Sequence, residues 1–222
     1  MQTEKASLYE KLARTTVANL EKNNFQAWYF AKREEAVAHI TGLVPQGSTV
    51  GLGDSLSLVE LGVMDWLRQQ HKEGKLRLFD RYRHGMTPED VADDGKNRFR
   101  ALTSDVFITG TNAVTLDGKL VNIDGEGTRV APIIFGPPKV IVVVGANKIV
   151  KNAEDGVRRT KEVAAPLNAL RHGYRLPCTV TGQCGDCRSP DRICTFTVIV
   201  ESLRPRHKGR INVVIVGEDL GF

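Results

Sequence analysis

Five β-branched residues stand in an unbroken row from Val140 to Val144, and this run constrains the fold more than any other part of the sequence. A strand with one face in water alternates apolar and polar residues, so a run without polar residues is typical of a strand buried on both faces. Such strands occur in parallel sheets that helices cover on both sides. The run therefore predicts the central strand of a mostly parallel α/β sheet.

Segments with helical and strand patterns alternate around this run, as an α/β sheet requires. Apolar residues at helical spacing predict helices over residues 3–23, 32–43, 57–70 and 151–171, and a further helix is expected to begin near Pro88. Short apolar runs predict strands over residues 49–52, 76–79, 105–109, 195–201 and 211–216. Two β-prone runs flank Asp117-Gly118 within residues 113–121, which predicts a hairpin.

The organisation expected from this pattern is a single α/β domain over residues 1–222. Its sheet is Rossmann-like and flanked by helices, with residues 1–45 as a helical lead-in and residues 177–195 as an inserted segment. Hydrophobic residues make up 41% of the chain and charged residues 26%, which is enough apolar material for a sizeable core. No apolar run reaches the roughly 18 residues of a membrane span, and no signal peptide is visible, so a cytoplasmic location is expected.

The charge pattern bears on the class of partner. The formal net charge is +5, but basic residues are scattered among acidic ones and only 6% of residues are aromatic. Nucleic-acid sites need a basic surface and usually aromatic platforms for bases, so this composition argues against nucleic acid as a partner. The basic balance instead favours a small anionic metabolite.

Polar residues follow several of the predicted strands, at the edge where open α/β sheets bind ligands. Glycines there allow close approach to a ligand, amides donate and accept hydrogen bonds, and Arg129 can hold a carboxylate with two parallel bonds. Ser57 and Glu60 are spaced as a capping box. The candidate ligand-binding residues are Gly51, Gly53, Asp54, Ser55, Asn112, Asn122, Asp124, Arg129, Asn147, Lys148 and Glu218.

The central block resembles a known family. Residues 104–150 read SDVFITGTNAVTLDGKLVNIDGEGTRVAPIIFGPPKVIVVVGANKIV, and similar blocks are GLGDSLSLVELG before it and VGEDLGF after it. Together they resemble the LUD (lactate-utilisation) domain family, in its short YkgG/LutC-like branch. The resemblance implies a fold related to sugar-phosphate isomerases and coenzyme A transferases. It also implies a part in the oxidation of L-lactate to pyruvate, alongside iron–sulfur partner proteins.

All four cysteines lie in one short segment, as Cys178-x5-Cys184-x2-Cys187-x6-Cys194. Four thiolates can bind zinc tetrahedrally or hold an iron–sulfur cluster, and the redox context of the family favours iron–sulfur. Local disulfides and plain reduced thiols are the alternatives. A metal centre predicts that the four sulfur atoms converge.

Three functions fit these features. The leading interpretation is a subunit or accessory factor of lactate oxidation that binds a small anion. The second is an independent enzyme of the isomerase or acyl/CoA transferase type. Its catalytic residues are unknown, because no nucleophile–base pair is visible and no histidine lies in the polar blocks; a carboxylate would have to act. The third is a non-catalytic sensor or scaffold. Self-association into a homo-oligomer is left open.

Overall fold

A computed structural model of the chain describes residues 2–80 and 94–222. The main sheet has six strands in the order β1-β10-β7-β4-β2-β3, and every neighbouring pair is parallel. A second sheet has the order β8-β5-β6-β9. The strands are β1 (Gln26–Phe30), β2 (Thr49–Leu52), β3 (Arg77–Phe79), β4 (Val106–Gly110), β5 (Ala113–Thr115), β6 (Leu120–Asp124), β7 (Lys139–Gly145), β8 (Ile149–Val150), β9 (Phe196–Val200) and β10 (Ile211–Val216).

Helices cover both faces of the main sheet. The helices of the described residues are α1 (Gln2–Lys22), α2 (Arg33–Gly42), α3 (Leu56–Glu60), α4 (Val63–Lys72), α5 (Asp94–Leu102), α6 (Val130–Ile134), α7 (Ala153–Arg159), α8 (Ala165–Arg171) and α9 (Pro177–Thr181). A π-helical turn, Thr160–Ala164, joins α7 to α8. Within residues 2–80 and 94–222, no helix combines the length and the apolar character that crossing a membrane requires.

Strand β7 lies inside the sheet, between β10 and β4, and all five residues of its β-branched run are inaccessible to solvent. Ile141 and Val143 pack with α2, α3 and α4 on one face, whereas Val140, Val142 and Val144 pack with α1, α5 and α6 on the other. Successive side chains of a strand point to opposite faces, so a strand between two helical layers places all its side chains in apolar surroundings. The predicted central strand and the mostly parallel sheet are confirmed.

The second sheet is smaller and mixed. Its hairpin, β5 and β6, turns at Asp117-Gly118 as predicted, with Gly118 at φ 83°. Strand β8 adds to β5 in parallel, and β9 adds to β6 antiparallel. Val114 and Leu120 connect this sheet to the core beneath α1. The sequence predicted the hairpin and β9, but not that they form a sheet of their own.

Three expectations about individual elements differ from the structure. The lead-in is not only helical, because Gln26–Phe30 forms β1 at the edge of the main sheet. The helix expected over residues 57–70 is two helices, because Gly62 between them adopts φ 73° and ends the first. The helix expected near Pro88 lies outside the described residues.

Candidate functional site

The carboxyl ends of the parallel strands bring the polar loops after β2, β4 and β7 to one edge of the main sheet. The loops after β2 and β4 approach closely: a Cβ at Gly53 would lie 2.3 Å from Thr109 Oγ1 and 3.0 Å from Arg129 Cγ. Ser55 Oγ would lie 2.6 Å from a Cβ at Gly110. We call this region the strand-end edge. Glycine is required at both positions because no side chain fits between the loops.

The Arg129 guanidinium is buried beneath this edge and already has protein acceptors. Nη1 donates to Asn122 Oδ1 at 2.6 Å and to the Gly110 carbonyl at 3.2 Å, and Nη2 donates to Asn112 Oδ1 at 2.7 Å and to the Ile123 carbonyl at 2.6 Å. Arg129 therefore joins the loop after β4 to strand β6. Contact between a ligand and the Nη1 or Nη2 donors of Arg129 would require one of these bonds to be exchanged.

Burial lowers the pKa of Arg129, and the negative charges of Asp124 and Asp54 oppose that shift. Asp124 makes no close ion pair with it, because its two carboxylate oxygens cap the loop after β6. They accept hydrogen bonds of 2.9–3.3 Å from the backbone N–H groups of Glu126, Gly127, Arg129 and Val130. The position of Asp124 is thus explained by loop structure.

Two amide groups at the edge have unused donors. Asn112 Oδ1 accepts from Arg129 and from the Ile123 N–H, but its Nδ2 has no partner in residues 2–80 and 94–222. Asn122 is fully buried, and its Nδ2 also lacks a hydrogen-bond partner in the described chain. A buried donor without an acceptor costs about 1–3 kcal/mol, so a water or ligand oxygen would be bound favourably at Asn122 Nδ2, and the partly buried Asn112 Nδ2 is a further free donor.

Lys148 ends the 3₁₀ turn after β7 and is 5% exposed. Its Nζ donates to Ser57 Oγ at 3.0 Å, and in the described part of the chain it forms no ion pair with a carboxylate. Burial lowers the pKa of Lys148 to about 7, helped by the positive charges of Arg159 and Arg129 and opposed by Glu60. Near neutral pH the amine is therefore divided between its charged and neutral forms.

Arg159 was not predicted from the sequence. It is the last residue of α7, where the helix widens into the π-helical turn, and such turns are frequent at functional sites. Its Nη1 donates to the Asn112 carbonyl at 2.6 Å, and within the described residues the guanidinium has no other hydrogen bond and no ion pair. Arg159 also lines a surface hollow of about 340 Å³. Burial lowers the pKa of Arg159.

Asp54 contacts two further residues that the sequence analysis missed. Its carboxylate accepts from Arg171 and lies 3.0 Å from His172 Nε2. Burial alone would raise the pKa of Asp54, but the hydrogen bond with His172 and the charges of Arg171 and His172 outweigh it, so the pKa is lowered. His172 lies outside the polar blocks in the sequence, but the fold brings it into contact with Asp54. A separation of 118 positions hides this pairing in the sequence.

The capping box predicted from Ser57 and Glu60 is not formed. Helix α3 begins at Leu56, and its N-cap Ser55 makes no side-chain cap bond. Ser57 Oγ donates instead to the Leu220 carbonyl at 3.3 Å, and Glu60 Oε2 accepts from the Gly221 N–H at 2.7 Å. Both residues hold the segment after β10 against the strand-end edge, which is a long-range contact that local spacing cannot reveal.

Three predicted residues contribute to structure around the site. Gly51 lies within β2, where a Cβ would be 2.8 Å from Ala101 Cα, so it allows α5 to pack closely. Asn147 Oδ1 accepts from the Leu220 N–H at 3.2 Å. Glu218 pairs with Arg33 beyond β1 and has no direct contact with Lys148 or Arg129 among its described bonds.

The cysteine segment lies beside the same edge. Thr195 N–H donates to the Asp124 carbonyl at 2.9 Å, and a Cβ at Gly125 would lie 3.2 Å from Ile193 Cα. Arg192 holds the segment in shape by donating to the carbonyls of Cys187 (2.8 Å) and Cys194 (2.9 Å). The segment therefore has a defined connection to the loop that Asp124 caps.

The four cysteines are unpaired and partly exposed. Burial raises the pKa of Cys178, and the other three thiols raise it further, which places them in one neighbourhood. No group of three or more His, Cys, Asp or Glu side chains is arranged to hold a metal ion in the described residues. The predicted convergence of four sulfur atoms into a metal-binding arrangement is thus not present among the described residues.

Comparison with known proteins places the chain in a family. The sequence profile of the LUD domain matches residues 13–216. The chain belongs to the LUD domain family. This family is associated in general with lactate utilisation. A comparison with curated protein sequences found no match.

Among solved structures, this LUD domain is similar to a DUF162 family protein from Deinococcus radiodurans, with a TM-score of 0.50, 12% identity, and coverage of 94% of this chain and 97% of that one. That likeness shows a common fold. Ribose 5-phosphate isomerase A from Methanocaldococcus jannaschii gives a TM-score of 0.35 at 19% identity over 54% of each chain. The enzyme of the same name from Neisseria gonorrhoeae gives 0.37 at 12% identity, over 84% of this chain and 92% of that one.

Proposed function

We propose that this LUD domain takes part in the oxidation of L-lactate to pyruvate in the cytoplasm, as a subunit or accessory protein that works with iron–sulfur proteins. In this role it binds a small carboxylate, a 2-hydroxy or 2-oxo acid, at the strand-end edge. The family membership supports the pathway, and the charges at the edge support the ligand class.

The observation that carries the ligand proposal is an excess of positive charge without a counterion. Lys148 and Arg159 both lie at the edge, and neither is within 4 Å of a carboxylate in the described part of the chain. Buried cations are normally paired, because an unpaired charge loses its hydration without compensation. A ligand carboxylate between them would supply that pairing, and Asn112 Nδ2 would donate a further hydrogen bond.

The binding test uses L-lactate and pyruvate as probes, with isothermal titration calorimetry and thermal unfolding as readouts. We expect both acids to bind the wild-type protein and Arg159→Ala to weaken binding roughly tenfold or more, because a charged hydrogen bond contributes about 1.5–3 kcal/mol. Arg14→Ala is the matched control, since this exposed arginine of α1 pairs with Glu10 and does not line the hollow that Arg159 lines. Absence of binding to either acid would exclude the proposed site.

The assembly test measures lactate-dependent reduction of a dye by the purified protein, alone and together with its iron–sulfur partner proteins. The proposal expects that the chain raises the activity of the assembled system and that Arg159→Ala reduces this effect. An assembled activity that is the same with and without the chain would contradict a role in lactate oxidation.

The cysteine segment is part of this proposal as a metal site, with an iron–sulfur cluster favoured over zinc. Unpaired cysteines usually serve as small buried apolar residues, but these four are partly exposed and none belongs to the core. Packing therefore does not account for their grouping in one segment. Binding would require the segment to close, since zinc–thiolate bonds measure about 2.3 Å.

Metal and sulfide analysis of anaerobically purified protein tests the metal site. We expect about one centre per chain and a sharp loss of metal in Cys187→Ser, with the sheet intact by circular dichroism. Ser189→Ala, in the same segment, is the control and should keep the metal. A brown, air-sensitive absorbance would indicate iron–sulfur, and a colourless chelator-sensitive centre would indicate zinc. Metal-free protein under these conditions would rule the site out.

One observation favours an independent enzyme as the second candidate. The Asp54–His172 pair has the arrangement in which a carboxylate orients an imidazole for proton transfer. Turnover of a small acid without any partner protein, lost in His172→Gln, would support this alternative. His207→Gln is a suitable control, because that histidine lies in the distant turn before β10.

A further inference from the structure

The stability of the fold does not explain why the Lys148 amine is buried. Its Nζ has a hydroxyl partner, Ser57 Oγ at 3.0 Å, rather than a described carboxylate. A lysine that only stabilises a fold ends in solvent or in an ion pair, because burial of an unpaired ammonium costs several kcal/mol. Stability therefore selects against a lysine at this position, and a chemical role becomes the better explanation.

The surroundings of this amine favour its neutral form. Burial acts first, and the positive charges of Arg159 and Arg129 act in the same direction, which brings the pKa of Lys148 to about 7. Desolvation next to another cation is the arrangement that activates lysine as a nucleophile, because the unprotonated amine carries the reactive lone pair. At neutral pH a large fraction of Lys148 is in that reactive form.

We propose that Lys148 is a carbonyl-reactive nucleophile that forms an imine with the C2 atom of a 2-oxo acid. This inference rests on the proposed carboxylate site and names its substrate class. The Nζ lone pair attacks C2, a C–N bond forms, and the carbonyl π electrons move to oxygen. A proton passes from nitrogen to that oxygen, and the hydroxyl with a second proton leaves as water. The C=N bond then forms, and neither an oxidant nor a reductant is consumed.

Two neighbouring residues have the positions that this chemistry needs. Arg159 has unused donors, and its positive charge acts on Lys148, so it can pair with the carboxylate of an acid bound beside the amine. Ser57 Oγ is hydrogen-bonded to the amine and can carry a proton between nitrogen and the departing oxygen. Gly221 lies over the amine, since a Cβ there would be 3.2 Å from Lys148 Nζ.

Borohydride trapping with pyruvate tests the imine. The full-length protein is incubated with pyruvate and sodium borohydride near neutral pH, digested, and analysed by mass spectrometry. We expect a reduced pyruvate adduct on the peptide that carries Lys148, approaching one per chain, and none when L-lactate replaces pyruvate, because lactate has no carbonyl carbon at C2. Pyruvate binding is measured in parallel by calorimetry without borohydride.

Two variants complete the test. Lys148→Met should lose the adduct while remaining folded by circular dichroism, and Lys151→Met, at an exposed lysine three positions away, should keep it. Pyruvate binding without an adduct on Lys148 would overturn the imine and leave the binding site standing. Absence of pyruvate binding and adduct would overturn both. An adduct on Lys148 without any effect on lactate oxidation would support the imine and contradict the proposed pathway role.

Discussion

Lys148 imposes a pH-dependent cost on folding. Its pKa in the folded chain is about 7 against an ordinary value of 10.5. Between pH 7 and pH 10.5 the unfolded chain binds more protons than the folded chain, so the free energy of unfolding rises with pH over this range. Below pH 7 burial of the charged amine has its full cost, which is roughly 4–5 kcal/mol. The residue is 5% exposed, so solvent screens little of this effect.

We therefore predict that Lys148→Met raises the free energy of unfolding, and that the gain is larger at pH 6 than at pH 9.5. Methionine has a similar shape without a charge, and functional sites commonly carry such a cost. Urea denaturation at the two pH values measures it, with Lys151→Met as the exposed control. An equal gain at both values would show that Lys148 has an ordinary pKa.

Arg129→Ala should have the opposite effect on stability. It removes the donor from four protein acceptors, among them Asn112 Oδ1 and Asn122 Oδ1, which are partly or fully buried. Each acceptor left unsatisfied costs about 1–3 kcal/mol, so we expect a total loss of roughly 3 kcal/mol or more. Arg158→Ala, at an exposed arginine, should change the unfolding midpoint little. A stable Arg129→Ala protein would show that the ligand, and not the fold, needs this arginine.

Only part of the site was predictable at the level of residues. Asn112 and Lys148 directly follow strands, and that position alone indicates the strand-end edge. Arg159 and His172 lie within or after a helix and carry no local signal, because their partners, Asn112 and Asp54, are 47 and 118 positions away. Ser57 was predicted to cap a helix, but its hydroxyl makes a long-range contact with Leu220 instead. Serine is common in both roles, so the residue type alone does not distinguish them.

At the level of elements, the contact between the ends of β2 and β4 depends on Gly53. We predict that Gly53→Ala destabilises the protein and weakens binding of small acids, because the new Cβ would lie 2.3 Å from Thr109 Oγ1 and would push the two strand ends apart. Gly42→Ala, which has no atom within 4 Å of its Cβ, should be neutral or slightly stabilising. Chemical denaturation and calorimetry on both variants decide this.

The sequence predicted elements with an unambiguous pattern and missed those without one. Strand β7 carries the continuous β-branched run, and β10 is β-branched at every position except Asn212 and matches its predicted bounds of 211–216. Strand β1 reads QAWYF within a polar stretch, and its side chains are mostly half-buried because it is an edge strand. Strand β8 has two residues and exists only through pairing with β5. Tertiary contacts, not local propensity, define such elements.

At the scale of the whole molecule, β10 holds the main sheet together because it pairs with β1 on one side and β7 on the other. We predict that Ile215→Val lowers the free energy of unfolding by roughly 0.5–1.5 kcal/mol, as is usual for a fully buried methylene. Ile199→Val in β9, where the side chain is 39% exposed, should change it by less than about 0.5 kcal/mol. Equal losses would mean that the second sheet is as tightly packed as the first.

The position of β10 also determines the order of events during synthesis. It is the last of the six main-sheet strands in sequence, but it lies inside the sheet. Strand β1 is synthesised first, and its residues, such as Gln26, cannot pair until their partners in β10, such as Asn212, have been made. Until that segment leaves the ribosome, the apolar flank of β7 is an open edge that can recruit strands from other nascent chains. Parallel pairings over such sequence separations form slowly. Chaperone capacity, rather than the equilibrium stability of the finished sheet, should therefore limit the yield of folded protein in the cell.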